Sequence, residues 1–361
     1  MVATSPGEIR AVAIDDHGPL DYAIERPGQP DGVGDRHRGR ITAHLPALAG
    51  SFVLLADGTE GFLPDSAGGN QPQGTILPVR ITRAAQAGKG PRLAADTASP
   101  GPVALLARGP GAVARLAALH PDAPIELDDP ALAATLRPTL EPRLHRVPRA
   151  IDESLESILD SLAEPAADLP GGIRMTIHPT PALTAIDLDL AAASATRATK
   201  SRTHDSANRA ALPALARQLR LRNLSGAIVI DLAGLSPKRR AALGPAFTAA
   251  LATDPLSPRF LGFSALGLAE ILRPRIHPPL HELLAPPHAT GLAALRHAAR
   301  QSAATPGTAL ALHAAPPVIA ALNADPMALA AFKSRAGHPI SLRADPALAP
   351  RSWRIEEIPH A

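Results

Sequence analysis

Residues 226–232 read GAIVIDL, a near-continuous apolar run that stops at Asp231. Such a run, β-branched and free of proline, is the pattern of a strand buried on both faces, and it limits the fold to architectures with a covered sheet. Upstream, GGIRMTIHPT (171–180) and LTAIDLDL (183–190) predict a hairpin ending in Asp187 and Asp189. Between hairpin and strand, Asp205-Ser206-Ala207-Asn208 supplies cap candidates for a helix through Arg222. Leu212, Leu215, Ala216 and Leu219 form its buried stripe, and Arg209, Arg217 and Arg220 lie elsewhere on the cylinder. Pro213 fits only in a first turn. A helix from Pro237 to about Ala252 follows, then a strand-to-helix passage over Phe263–Arg275 that finishes in Arg273 and Arg275.

The flanking segments read differently. Residues 8–25 alternate around Asp16-His17-Gly18-Pro19, a hairpin signal, and 27–34 is a Pro/Gly/Asp linker. Short strands at Arg40–Ala43, Ser51–Leu55, Gly61–Leu63 and Gly74–Ile81, parted by Gly and Pro turns, predict a small barrel. The chain has six Phe, and Phe52 and Phe62 both fall there, ahead of the basic loop GKGPRL at 88–93. Exposed rings beside basic residues would suit an oligonucleotide-binding barrel; rings in its core would be ordinary packing. Residues 96–165 are Ala- and Pro-rich with weak periodicity, apart from a helix over Arg146–Leu162 with Ile151, Leu155, Ile158, Leu159 and Leu162 on one face. The last 75 or so residues form a small α/β unit: helices near 292–301, 317–322 and 327–336, a strand at Gly307–Ala314, and a final strand at His338–Ala344.

Composition narrows the function. With 45% hydrophobic and 19% charged residues among 361, the chain is globular. It has no stretch of about 18 uninterrupted apolar residues to span a membrane, and its acidic opening does not read as a signal peptide. Cys is absent, which excludes disulfides, thiolate zinc clusters and thiol nucleophiles and suits a cytoplasmic location. Lys plus Arg is 36 against 33 Asp plus Glu, a net +3, yet Lys occurs only at 89, 200, 238 and 333. Nearly all the positive charge is therefore guanidinium, which grips phosphate through two prongs. A GC-rich genome would give the same bias, so composition alone names no nucleic-acid partner.

Asp187 and Asp231 stand 231 − 187 = 44 residues apart, each at or near the end of an apolar strand. Two carboxylates on neighbouring strand ends repel, and a divalent cation relieves that repulsion. Hard oxygen ligands suit Mg²⁺ or Mn²⁺, and such an ion activates water against a phosphodiester. Asp189 shares the face of Asp187 if the strand continues. An aspartate at a strand end also caps turns, and the residues leave both readings open. His277-Pro-Pro-Leu-His281-Glu282 offers two histidines but no third ligand, and GKGPRL is too short for a P-loop.

LTAIDLDL (183–190), NRAALPALARQLRLRNLSGAIVIDL (208–232) and SALGLAEILRPR (264–275) together resemble the catalytic core of the ribonuclease E/G endoribonucleases. The segments GDRHRGRI…SFVLLADGTEGFLP, GKGPRLAADTASPG and DPALAPRSWRIEEI extend the resemblance to most of the chain. It implies an α+β, multidomain fold. An RNase H-like platform (1–32 and a shortened 96–165) would carry an inserted S1 (OB-type) barrel (33–95), followed by a DNase I-like catalytic subdomain (166–285) and a small C-terminal domain (286–361). By the same resemblance, Asp187 and Asp231 are the catalytic metal-binding aspartates, with Asp189 where the family has Asn. Phe52, Phe62 and Lys89 match the family's RNA contacts; beyond the resemblance, Arg92 is expected to hold the RNA backbone with Lys89, and Arg273 or Arg275 to neutralise charge on the phosphate. The implied activity is a Mg²⁺-dependent (or Mn²⁺-dependent) endoribonuclease that cuts single-stranded RNA to 5′-phosphate and 3′-hydroxyl ends; the alternatives are a catalytically decayed RNA-binding protein of the same fold and a protein-binding scaffold. The short 100–170 region shows no Arg-Thr-Ala-Gly run, implying loss of the 5′-monophosphate pocket. Ala285-Pro286-Pro287-His288 replaces the family's Cys-Pro-x-Cys, so no zinc and no zinc-linked tetramer are expected, while a homodimer stays open.

Overall fold

The computed structural model describes residues 1–190 and 197–358. An antiparallel meander of β1 (Val2–Ser5), β2 (Glu8–Asp15) and β3 (Gly18–Glu25) opens the chain. β4 (Arg36–Leu45), β5 (Gly50–Leu54), β6 (Glu60–Pro64), β7 (Ile76–Arg83) and β8 (Arg92–Ala95) follow, with β9 (Ala104–Ala107) beyond them. The order β4-β5-β6-β8-β7 returns to β4, so five strands close on themselves and β9 adds to the outside of β4. Closure removes the sheet edges, and Ile41, Val53, Leu63, Val79 and Leu93 fill the interior. This is an OB-type arrangement.

The chain then completes its first sheet. α1 (Ala112–Leu119), β10 (Ile125–Leu127), α2 (Pro130–Leu140), β11 (Leu144–Arg146) and α3 (Glu153–Ser161) place β10 and β11 in parallel beside β1. The weak periodicity of 96–165 hid these elements because most are only three to eleven residues long. The helix predicted over 146–162 is shorter, since Asp152 caps it by accepting from the Leu155 amide at 2.8 Å. Ile158 is 45% exposed and so falls off the predicted apolar face.

A second, six-stranded sheet forms the centre. Its elements are β12 (Ala166–Leu169), β13 (Ile173–Pro179), β14 (Thr184–Leu190), α4 (Arg197–Leu221), β15 (Gly226–Asp231), α5 (Pro237–Ala241), α6 (Gly244–Leu251), β16 (Arg259–Phe263) and β17 (Ala269–Arg273). The strand order is β12-β13-β14-β15-β17-β16, with β14 and β15 parallel across the α4 crossover. Met175, Ile186, Leu188, Ile228, Ile230 and Ile271 point to one face and pack under α4 and α6. The other face is not covered: Ala227 is exposed and Val229 half-buried. β15 is therefore buried on one face only, not on both, since Ala227 and Val229 on the other side stay at least partly exposed.

Four further expectations change. α4 already runs from Arg197, so residues 205–208 lie inside the helix; Asn208 is fully buried and donates through Nδ2 to the Ala233 carbonyl at 2.9 Å. Pro213 sits mid-helix on an exposed surface. The Phe263–Arg275 passage is a hairpin, since residues 269–273 alternate in burial with period two and Gly267 takes φ +84° in the turn. The helix expected over 237–252 is two helices.

After α7 (Leu280–Leu284) come α8 (Pro287–Ala304), β18 (Ala309–Ala314), α9 (Pro316–Asn323), α10 (Pro326–Ala336), β19 (Ser341–Ala344) and β20 (Trp353–Ile358). β20, antiparallel to β18, rather than 338–344, is the last strand. No helix among the described residues is long and apolar enough to cross a membrane.

Conspicuous arginines of α4 hold these parts together. Arg217 forks onto Asp15 through Nη1 (3.0 Å) and Nη2 (2.6 Å) and also donates to the Pro19 carbonyl. Arg220 forks onto Asp21 and reaches the Thr253 carbonyl at 2.9 Å. Arg222, buried, donates to the Leu162 carbonyl at 2.7 Å. The ARQLRLR run is thus mostly docking hardware between the helix and the first sheet.

Candidate active site

β14 and β15 pair in parallel with Thr184 opposite Ile228, Ile186 opposite Ile230, and Asp187 opposite Asp231. Directly paired residues on neighbouring strands project to the same side about 4.8 Å apart. Asp187 and Asp231 therefore stand side by side on the uncovered face, at the end of β15. Asp189, two residues beyond Asp187, shares that side and hydrogen-bonds to it. Alternation explains the placement: Ile186 and Leu188 must face the core, so Asp187 and Asp189 cannot.

The electrostatics follow from this crowding. Burial raises the Asp187 carboxyl above its ordinary range, and the negative charges of Asp189 and Asp231 add to that, against a smaller opposing pull from His178 on β13. Asp231, 53% exposed, has Arg240 of α5 as its partner, Nη2 to Oδ1 at 3.4 Å. Sequence reading passed over Arg240 because it lies in a run of basic residues on a short helix; its signal was the spacing of nine residues after Asp231, readable only once β15 and α5 are joined by a tight turn.

Arg273 and Arg275 do not reach the acidic pair. Arg273 pairs with Gly226, the far end of β15 from Asp231 and about 17 Å away along the strand. It is buried and committed to Asp254 at 2.7 Å and to Asn223 Oδ1 at 2.8 Å. Arg275 folds over Gly226, where a Cβ would displace its guanidinium. Leu272, Ala227, Arg259 and Arg275 line a cleft of about 700 Å³ at this end of the open face.

The barrel presents its rings outward. Phe52 and Phe62 are cross-strand partners, half-buried, with ring centroids 5.7 Å apart edge to face, and neither belongs to the barrel core. Gly50 makes room for the Phe62 ring. Exposed Arg92 pairs with Phe62 on one side and with Arg83 on the other. Burial, then Arg92 and Arg275, lower the Arg83 pKa, so barrel and sheet bring three guanidiniums together. Lys89 is exposed at the tip of the loop, which is pinned by the Ala87 amide donating to Glu282 of α7 at 2.9 Å.

The other histidine candidates are dispersed. His277 hydrogen-bonds Asp31 at 2.6 Å, and His288, beside the missing cysteines, pairs with buried Asp325 at 2.8 Å. Among the described residues, no group of three or more His, Cys, Asp or Glu side chains is arranged to hold a metal ion.

The ribonuclease E/G family model matches residues 132–276. Ribonuclease E of a Synechocystis species is 39% identical over 126 residues, 34% of this chain and 18% of that protein. Ribonuclease E of Escherichia coli is 34% identical over 167 residues (44% and 15%), and its ribonuclease G 34% over 132 residues (36% and 27%). The aligned segments thus span between 15% and 27% of these relatives. The region that holds β14 and β15 with their facing aspartates thus matches the ribonuclease E/G family.

Proposed function

We propose that the chain is a divalent-metal-dependent endoribonuclease acting on single-stranded RNA and leaving 5′-phosphate and 3′-hydroxyl ends. The observation that carries this reading is the in-register pairing of Asp187 with Asp231 on an uncovered sheet face. The name ribonuclease, borne by the relatives aligned there, supports it.

The donor set fits a magnesium or manganese ion. Three hard carboxylates crowd one another, with Asp187 pushed toward its neutral form. Mg²⁺ is characteristically held by only one or two carboxylates and keeps several waters, so a closed cage is not required. Asp187 and Asp231 would hold the ion, with Asp189 beside them. When bound, it supplies charge neutralisation and an activated water for attack on phosphorus. Asp189, in place of the family's Asn, carries a charge where an amide would only orient.

The surrounding surface suits a single strand. Phe52 and Phe62 offer faces for base stacking. Arg92, Arg83 and Arg275 form a basic step from the barrel onto the sheet, and the 700 Å³ cleft lies beside Arg275 at the Gly226 end of β15. In this reading the barrel is the S1-type module, the first sheet the RNase H-like platform, and the β12–β17 sheet the DNase I-like catalytic subdomain.

The test is incubation of end-labelled single-stranded RNA with Mg²⁺ or with chelator, beside Asp187→Asn and Asp231→Asn. Metal-dependent internal cuts bearing 5′-phosphates, reduced at least 100-fold in both variants, are the expected result. Salt-sensitive binding without cutting would replace this reading by the decayed RNA-binding form, which the Asp187–Asp189 hydrogen bond favours because it ties up a metal ligand.

A further inference from the structure

We propose that Arg240 is the residue that meets the scissile phosphate, an inference that rests on the ribonucleolytic reading above. The open face bears Asp187, Asp189 and Asp231, and half-buried Glu270 of β17 lies on the same side opposite Val229. Four carboxylates repel an RNA strand, so a phosphate at the acidic pair needs a fixed positive charge close by. Arg273 and Arg275 stand at the other end of β15, whereas Arg240 stands beside Asp231.

The backbone holds Arg240 in place. Its Nε donates to the Leu235 carbonyl at 3.0 Å and Nη1 to the Gly267 carbonyl at 2.6 Å, so the helix start and the β16–β17 turn grip it from two sides. Gly267 is required twice over: its φ is +84°, and a Cβ there would lie 2.5 Å from Nη1. The third nitrogen, Nη2, lies 3.4 Å from Asp231 Oδ1, and among the described residues no hydrogen bond engages it. The side chain is 17% exposed.

A guanidinium has five N–H donors in a rigid fork. Two are spent on carbonyls, which fixes the plane and leaves the Nη2 protons facing the acidic pair. A phosphodiester gains negative charge on its non-bridging oxygens as water adds to phosphorus, and a donor already in position stabilises that charge without reorganising. Arg240 satisfies this description.

Arg240→Gln, Arg240→Lys and Gly267→Ala would be assayed for cleavage of labelled single-stranded RNA in saturating Mg²⁺ and for Mn²⁺ binding by electron paramagnetic resonance, with thermal melts alongside. The expected result for Arg240→Gln is a fall in kcat of about 100- to 1,000-fold with Mn²⁺ affinity unchanged or tighter, since a repelling cation is gone. Arg240→Lys recovers part of the rate. Gly267→Ala keeps the charge but displaces the guanidinium, and also lowers kcat; it carries the test should Arg240→Gln not fold. A kcat within threefold of the parent in Arg240→Gln or Gly267→Ala, or a loss of Mn²⁺ binding in step with kcat, overturns the inference while leaving the ribonuclease reading intact. A parent that leaves RNA uncut overturns the reading and this inference together.

Discussion

Arg217 and Arg220 occupy the last turns of α4 and Arg222 directly follows it, and each ends on an acceptor from another part of the chain. Arg83, Arg92 and Arg275 come from the barrel and from the exit of β17, and their charged neighbours are one another. Among the described residues none of these last three forms an ion pair, and Arg83 Nε is buried without a hydrogen-bond partner. The first group answers the cost of burying a guanidinium with carbonyls and carboxylates. In the second, Arg83 leaves that cost standing, and the charges repel. A cluster whose charges repel and whose Arg275 lines an open cleft is suited to a polyanion that binds later. The arginines most prominent in the family motif are therefore the wrong ones to assign to RNA.

The largest effect that sharpens this contrast is on stability. Among the described residues, Arg220→Ala leaves the buried Asp21 carboxylate with only His120, at 2.6 Å, for a side-chain partner. A cost of about 3–5 kcal/mol is expected in chemical denaturation. A loss under about 1 kcal/mol would erase the distinction between the two groups. The opposite signature belongs to Arg92→Ala and Arg275→Ala. Each should weaken single-stranded RNA binding several-fold and reduce the slope of log K against log salt by about 0.7, with no loss of melting temperature. An unchanged salt slope would show that the junction arginines do not touch phosphate.

Much of this arrangement is legible in the sequence. Asp187 and Asp231 are marked by their place at strand ends, and the α4 stripe Leu212, Leu215, Ala216 and Leu219 is buried as its spacing indicates. Periodicity failed where its assumption failed. GAIVIDL reads as doubly buried because Ala227 and Val229 are apolar, yet Ala227 is exposed and Val229 only half-buried. FSALGLAEILRPR looks helical in composition, but period-two burial and the turn at Gly267 decide for a hairpin. Arg273 resembles a phosphate ligand in sequence; its role is set by Asp254, nineteen residues upstream and invisible to local pattern. Arg240 was missed for the converse reason, since its partners Leu235, Gly267 and Asp231 meet only in three dimensions.

The smallest effect tests whether burial, and not merely pairing, separates the structural arginines from one another. Asp15 sits at the tip of the β2–β3 hairpin under the fork of Arg217, with a side chain 36% exposed. The Arg217 hydrogen bonds are the main cause holding its carboxyl down at about 2, against an ordinary 3.8. A depressed carboxylate contributes its stability in full above the unfolded value and loses it as pH falls through the folded one. Asp15→Asn should therefore cost a constant amount between about pH 5 and pH 8 in urea denaturation, with the gap to the parent closing between pH 3.8 and about 2. Because solvent screens an exposed pair, that amount should be about 1 kcal/mol or less, well below the loss from Arg220→Ala. If the two losses were equal, the depth at which α4 buries Arg220 would count for nothing, and the hairpin contact would be as much a part of the core as Asp21.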